Sequence, residues 1–400
     1  MTPDQRYMRL ALRLAQRAYG RTSPNPMVGA VLVKRGAILG QGWHHRAGEP
    51  HAEIEALHDA ARRGHDVRGA ALYVTLEPCC THGRTPPCAP AILEAGIKRV
   101  VVGATDPNPA HNGRGLRLLA DAGVEVTAGV LAEPAARLNE AFNHWIVQHT
   151  PFVMVKAAMT LDGKIAATTG ESQWITGEKA RAWGMKLRAG VDAILVGVKT
   201  VLQDNPRLTV RPLPHEPVAA FVRKPHFSGT LTSAATGEVL QKRRFILDSR
   251  ARTPLSSHLV SDEFADLTTL VVTHAAPAAR IKALAQRVRV WEAPEKAGRV
   301  DPAWLLQTMG REGITSLLVE GGGEVNAAFL LGGLAHRVAF FYAPKILGGR
   351  AAVKAVAGEG VRRLAEAPRL RELQWRRLGP DLFLSARVDY DHEQTQRSAV

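Results

Sequence analysis

Near the start of the chain, Tyr7, Leu10, Ala11, Leu14 and Ala18 recur at helical spacing, while Arg6, Arg9, Arg13 and Arg17 fall off that stripe. This predicts an amphipathic helix over Asp4–Ala18, opened by Thr2 and Pro3. Short apolar runs then alternate with helical patterns. Strands are predicted at Val28–Val33 and Ala37–Gly42, joined by a turn containing Lys34, Arg35 and Gly36, and again at Ala71–Leu76, Lys98–Gly103 and Val124–Ala128. Helices are predicted from His51 to Arg63, Pro87 to Ala95, Gly115 to Ala122 and Glu133 to Trp145. Such alternation implies a largely parallel sheet covered on both faces.

Thr150-Pro151 interrupts the pattern, and it starts afresh. Strands are predicted at Phe152–Ala157, Ala193–Val198, Arg244–Asp248, Thr269–Thr273, Arg287–Trp291, Ser316–Val319 and Arg337–Tyr342, and helices at Glu178–Ala189, Pro302–Arg311 and Glu324–Leu331. Leu373–Trp375 and Leu382–Val388, around Gly379-Pro380, read as a hairpin. Trp183 and Leu187, one helical turn apart, read as core. Pro212–Lys242, with few periodic apolar residues, reads as a surface insertion. The expected fold class is α/β in two domains, 1–150 and 151–400.

Composition narrows this further. With 46% hydrophobic and 22% charged residues, the 400-residue chain is an ordinary globular one, which excludes wholesale disorder. A net charge of +15 favours polyanions, either nucleic acid or small phosphorylated ligands. All three cysteines, Cys79, Cys80 and Cys88, fall within ten positions, which suits a site in a reducing, cytoplasmic setting better than a disulfide framework. No apolar run is long enough to predict a membrane-spanning helix.

His51 opens a predicted helix, Cys79 follows a strand, and Cys88 lies near the start of the next helix. One imidazole and two thiolates make a three-ligand zinc site with the fourth position open, which is the catalytic arrangement. Glu53, in the first turn after His51, can reach an attacking water without binding the metal, as a general acid/base must. A lone His-Ala-Glu carries nothing, and free cysteines are usually small buried hydrophobes; ligand types, order and flanking motifs together single these out. Ser23-Pro24-Asn25-Pro26-Met27-Val28-Gly29, Gly42-Trp43-His44, Ala47 through Glu53, and Leu76-Glu77-Pro78-Cys79 leading to His82-Gly83-Arg84-Thr85-Pro86-Pro87-Cys88 resemble the pyrimidine deaminases of the riboflavin pathway. These belong to the cytidine-deaminase-like superfamily, and eight residues between the cysteines are their own form of the zinc deaminase signature. The resemblance implies zinc on His51, Cys79 and Cys88, Glu53 as proton shuttle, and Asn25, His44 and His82 at the substrate pocket. Cys80 reads as a packed thiol, and His45, His58 and His65 as solvated.

Beyond residue 152 no Gly-x-Gly-x-x-Gly follows an early strand, so the usual dinucleotide fingerprint is absent. Instead Lys156 through Lys164, Gly170 through Thr176, Asp192 through Gly197 and Thr200 through Arg211 place hydroxyls, an indole and carboxylates at strand ends beside Arg188 and Arg211. Val319 through Glu324 joins a strand to a helix through three glycines, whose bare amides suit a pyrophosphate. The set resembles the riboflavin-biosynthesis reductase domain, which is dihydrofolate-reductase-like. That implies an NADPH pocket from Ala158, Trp174, Thr200, Asp204, Ser249, Gly322, Gly323, Glu324, Val325, Asn326, Ala327 and Ala328. It also implies substrate contacts from Ser172, Arg188, Leu208, Arg211 and Glu320, with Lys156 and Asp162 as pocket residues of no fixed role. Deaminase followed by reductase matches the bifunctional riboflavin-biosynthesis enzymes. The expected partners are small phosphorylated pyrimidines and further copies of the chain, with neither nucleic acid nor membrane.

Overall fold

Thr2 caps the first helix, α1 (Pro3–Ala15): its hydroxyl accepts from the Gln5 amide at 3.2 Å and the Gln5 side chain bonds back to the Thr2 amide at 3.2 Å. The last predicted turn, Gln16–Ala18, tightens into a 3-10 helix. The computed structural model describes residues 1–211 and 241–390, so most of the insertion read at Pro212–Lys242 lies outside the described residues. Two compact units emerge, Met1–His149 and a second beginning at Thr150.

The first unit holds β1 (Gly29–Lys34), β2 (Ala37–Trp43), β3 (Ala71–Leu76), β4 (Arg99–Ala104) and β5 (Glu125–Thr127), in the order β2-β1-β3-β4-β5. Its other helices are α2 (Ala52–Arg62), α3 (Cys88–Glu94), α4 (Arg114–Asp121), α5 (Ala132–Leu138) and α6 (Glu140–Gln148). The sheet is mixed, not largely parallel: β1 runs antiparallel to both β2 and β3, and only the β3–β4 and β4–β5 pairs are parallel. Arg35 and Gly36 both take positive φ, 52° and 81°, and a two-residue hairpin of that kind leaves no room for the crossover a parallel neighbour needs. Alternate residues of β1 serve two cores. Ala30 and Leu32 pack with Ala52, Ala56 and Ala60 of α2, whereas Val31 and Val33 pack with Tyr7, Met8 and Ala11 of α1.

The second unit is built on a nine-stranded sheet. Its strands are β6 (Phe152–Thr160), β8 (Ala193–Gly197), β9 (Arg243–Leu247), β10 (Thr268–Val272), β11 (Arg289–Glu292), β14 (Ser316–Val319), β15 (Arg337–Ala343), β17 (Arg369–Leu378) and β18 (Asp381–Asp389). Short ribbons pair β7 (Lys164–Ala166) with β16 (Val353–Lys354) and β12 (Glu295–Lys296) with β13 (Arg299–Val300). The order is β11-β10-β9-β8-β14-β6-β15-β18-β17, parallel as far as β15, with the β17–β18 hairpin antiparallel at one edge. The helices are α7 (Glu178–Ala189), α8 (Val198–Asp204), α9 (His258–Ser261), α10 (Ala278–Ala285), α11 (Pro302–Arg311) and α12 (Gly323–Leu330). Two buried clusters cover the two faces, one containing Trp183 and Leu187 as read from their spacing. Helix α10 escaped the sequence pattern because only Leu284 of it is buried. Among the described residues no helix is long and apolar enough to cross a membrane.

Candidate active site

In the first unit, β2 carries glycine where α2 crosses it. A Cβ on Gly42 would lie 2.4 Å from the Ala52 carbonyl oxygen and 2.4 Å from the Ala56 amide, so only glycine lets the helix lie this close. That contact sets the start of α2, where His51 is the N-cap in extended conformation and Glu53 is the second helical residue. Cys88 opens α3, and its amide donates to Cys79 Sγ at 3.3 Å. His51 Nδ1 then stands 3.5 Å from Cys79 Sγ and 3.3 Å from Cys88 Sγ, with all three ligand atoms within 4.8 Å of one another. Tetrahedral zinc, from its usual Zn–N and Zn–S bond lengths, needs an N···S separation of about 3.5 Å, so these residues fit that metal. His51 Nε2 is 3.2 Å from Thr85 Oγ1, the outer contact that orients a ligand imidazole.

The electrostatics agree. Cys79 is drawn down to about 4, first by hydrogen bonding from Cys88 and then by His51. The Cys88 thiol is pushed up by that same hydrogen bond and by burial, so without a metal the pair shares one negative charge. Glu53 is 3% exposed; burial, and after it the Cys79 charge, raise its carboxyl to about 7, where a carboxyl can both take and give a proton. A dication on the neighbouring ligands would pull it back down.

His44, 2% exposed, meets His51 edge to face at 5.2 Å. Its Nε2 lies 3.1 Å from Asn25 Nδ2 and its Nδ1 3.1 Å from the Pro50 carbonyl, an arrangement in which Nε2 accepts and Nδ1 donates. Burial lowers its pKa, consistent with a neutral ring. His82, by contrast, remains exposed on the inter-cysteine loop, where its Nδ1 is 3.2 Å from the Gly83 carbonyl. Glu77 precedes Pro78-Cys79 in the motif, and the structure gives it a role that the motif does not. Its buried carboxylate accepts from the amides of Asp106, Gly113 and Gly115 at 3.1, 2.8 and 2.9 Å and so ties the segment after β4 to the strand end that bears Cys79. Cys80 Sγ faces His111 Nδ1 from that segment at 3.7 Å.

In the second unit the structure brings Arg188, Lys156 and Glu320 into contact, and Ser172 onto Asp204. Arg188 of α7 clamps Glu320 through Nε at 2.6 Å and Nη2 at 3.0 Å, and Lys156 of β6 reaches the same carboxylate at 3.3 Å. Burial alone would raise Glu320, but Arg188 and Lys156 outweigh it and hold the carboxyl at about 2. Arg188 also donates to the Thr209 carbonyl at 3.2 Å, and Ser172 to Asp204 at 2.9 Å. Asp162 has a structural attachment: it accepts from the Leu347 and Gly348 amides at 3.2 and 2.7 Å. Leu208 is 3% exposed in the core with φ of 51°, and Arg211 is exposed. Trp174 is exposed, with Arg181 4.7 Å from its ring centroid.

The glycine turn after β14 is closely packed at Gly323 and open at Gly322. A Cβ on Gly323 would lie 2.2 Å from the Lys354 carbonyl, while one on Gly322 would face Thr200 Oγ1 at 3.9 Å. Amides in the first turn of α12 have no partner within the helix, whereas the Asn326 amide already donates to Gly322. Of the run from Gly322 to Ala328, the beginning can thus meet an anion through backbone. Asn326 is fully buried with its Nδ2 on the Ala355 carbonyl at 2.8 Å, and Ala327 packs into the core.

Residues 1–104 match the family described as the cytidine and deoxycytidylate deaminase zinc-binding region, and residues 151–384 match the RibD C-terminal domain. The chain is 41% identical over 384 residues to riboflavin biosynthesis protein RibD of Actinobacillus pleuropneumoniae, covering 95% of this chain and 94% of that one. It is 38% identical to RibD of Escherichia coli (strain K12), covering 95% and 98%. Among solved structures it is similar to Acinetobacter baumannii RibD (form 1), with a TM-score of 0.79, 34% identity and coverage of 96% and 98%. It is also similar to the Thermotoga maritima diaminohydroxyphosphoribosylaminopyrimidine deaminase/5-amino-6-(5-phosphoribosylamino)uracil reductase, with a TM-score of 0.76, 33% identity and coverage of 96% and 98%.

Proposed function

The chain belongs to the RibD family of bifunctional deaminase–reductases of riboflavin biosynthesis, and from that premise we propose that residues 1–150 deaminate and residues 151–400 reduce. The proposed substrate is 2,5-diamino-6-(5-phosphoribosylamino)pyrimidin-4-one. Deamination gives 5-amino-6-(5-phosphoribosylamino)uracil, whose ribosyl group is then reduced to ribityl, with NADPH preferred to NADH. The observation that carries the reading is the His51, Cys79, Cys88 cluster with buried Glu53 beside it.

His51, Cys79 and Cys88 would hold zinc, which when bound would supply the Lewis acidity that makes water nucleophilic at neutral pH. Glu53 takes a proton from the attacking water as the water oxygen bonds to C2, and hands it to the departing amine; the C2–N bond then breaks, ammonia leaves, and C2 becomes a carbonyl with the water's second proton passing to the ring nitrogen. His44, kept neutral and fixed by Asn25 and Pro50, lines the pocket with its Nε2 committed to Asn25. In the other unit a bound NADPH would supply a hydride to C1′ of the sugar, the C1′–O4′ bond opening and the ring oxygen taking up a proton to give the ribityl chain. Arg188 and Lys156 keep Glu320 ionised, so it presents an acceptor to the substrate, and the first-turn amides of α12 with Thr200 receive the cofactor phosphates. The three free thiols suit a cytoplasmic enzyme, and we expect a homo-oligomer. Given the diamino compound and NADPH, the full chain should release ammonia and oxidise NADPH in equal amounts; without NADPH it should stop at the aminouracil ribosyl phosphate. A zinc-loaded chain that releases no ammonia from this compound would refute the reading.

A further inference from the structure

Asn139 stands between α5 and α6 and is the N-cap residue of α6, yet its side chain makes no cap hydrogen bond there. An asparagine in that position ordinarily accepts from an amide of the helix's first turn. Here the carboxamide is committed to Met27, 112 positions earlier: its Oδ1 accepts from the Met27 amide at 2.8 Å and its Nδ2 donates to the Met27 carbonyl at 2.9 Å. Asn139 is itself buried. Met27 precedes β1 and belongs to no strand, so the carboxamide gives it the donor and the acceptor that a neighbouring strand would otherwise supply. What Met27 carries with it is a wall of the first unit's site. Two residues before it, Asn25 Nδ2 meets His44 Nε2 at 3.1 Å; one residue after it, the Val28 carbonyl accepts from the His44 amide at 3.0 Å. His44, whose ring stands edge to face on the ligand imidazole of His51 at 5.2 Å, is thus held by ring and by backbone from either side of the residue that Asn139 grips. The Gly29 amide is fixed in turn on Thr75 Oγ1 at 3.1 Å.

We propose that Asn139 is a positioning residue of the deaminase site: by gripping Met27 it sets Asn25 and His44 beside the metal ligands without touching the substrate itself. The inference rests on the deaminase reading above, which gives Asn25 and His44 their place at the substrate pocket. Only a short carboxamide meets both backbone groups of Met27. Aspartate at 139 would still accept from the Met27 amide but would turn a second acceptor on the Met27 carbonyl, and that repulsion swings the segment away. Asn25 then no longer meets His44 squarely. Neither Asn25 nor His44 moves the proton in this reaction, so the loss falls on substrate binding and not on the chemical step.

The test is steady-state deamination by the full zinc-loaded chain, followed as ammonia released from the diamino compound. Asn139→Asp should raise KM about 10-fold and leave kcat within about 2-fold of its original value, as expected for a lost hydrogen bond that serves binding. Zinc content, and NADPH oxidation with the aminouracil phosphate, should stay as they were. Asn25→Ala should raise KM by a similar factor of about 10, and adding Asn139→Asp to it should raise KM little further, because residues acting through one contact are not additive. Asn139→Ser, smaller, uncharged and able to bond only one of the two Met27 groups, is the second variant and is read in the same way. A KM unmoved by either substitution at 139, or factors that multiply to about 100-fold in the double variant, overturns the proposal and leaves the deaminase reading intact. Loss of zinc and of both activities together in both variants also overturns it, because Asn139 would then serve the fold alone. An unsubstituted zinc-loaded chain that releases no ammonia overturns the deaminase reading and the proposal with it.

Discussion

Two buried carboxyls, Glu53 and Glu320, are driven in opposite directions by their surroundings. Burial, and after it the Cys79 charge, lifts Glu53 to about 7; for Glu320 burial is outweighed by Arg188 and Lys156, which hold it at about 2. The first is suited to moving protons and the second to staying charged. Replacing Glu53 with Gln keeps the shape and should leave zinc content, read by metal analysis, unchanged while cutting ammonia release about 100-fold or more; near-normal release from that variant would remove Glu53 from the proton relay. Glu320 makes a different prediction. Its folded pKa lies below its unfolded one, so its contribution to stability is full above the ordinary carboxylate range of about 4.5 and is lost as pH falls towards about 2. The melting-temperature gap between the unsubstituted chain and Glu320→Gln should therefore be widest near neutrality, narrow below about pH 4.5 and close only as the pH reaches about 2. A gap independent of pH would show that Arg188 and Lys156 do not hold the charge.

At the scale of elements, the metal cluster depends on how closely α2 lies on β2. Gly42→Ala forces a Cβ against two backbone atoms at 2.4 Å, so α2 must move away and carry His51 and Glu53 with it. Ammonia release should fall by about 10-fold or more, because an ångström of misplacement at reacting groups is costly, while NADPH oxidation with the aminouracil phosphate stays at its original rate. Full deaminase activity in Gly42→Ala would mean that the helix tolerates the shift. A comparable element-level tie lies in the second unit. Buried Arg244 of β9 bonds both oxygens of Asp262 at 2.8 Å, the Thr268 hydroxyl at 2.9 Å, and the Arg207 carbonyl at 2.9 Å just before Leu208. A guanidinium this thoroughly satisfied anchors the loop after α8 to the sheet.

Taken whole, the molecule keeps its two kinds of chemistry on separate stretches of chain: the three metal ligands and Glu53 all precede residue 89, and the Glu320 cluster with the glycine turn all follow residue 155. Removing zinc with a chelator should abolish ammonia release from the diamino compound yet leave NADPH oxidation intact when the aminouracil phosphate is supplied. Parallel ammonia and NADPH assays on one chelated sample decide this, and loss of both reactions would show that reduction also needs the metal.

Helices and strands were legible in the sequence wherever burial imposes a period on the side chains, as in α1 and β1, and they blurred where it does not, as in α10. The clustering of His51, Cys79 and Cys88 was legible because each lies at or just beyond the end of a regular element, so motif order and spacing already carry their proximity. Glu77 and the Arg244 anchor were not legible as structural ties, and the Glu320 clamp was legible only as separate candidate residues. Glu77 binds amides 29 to 38 positions away, and Arg188 and Lys156 meet Glu320 across 132 and 164 positions. Likewise the antiparallel placing of β1 against β3 came only with the tertiary structure. Local pattern reports which face of an element is buried, but which distant charge or amide meets a given side chain is decided by strand order, and only the packed sheet contains that.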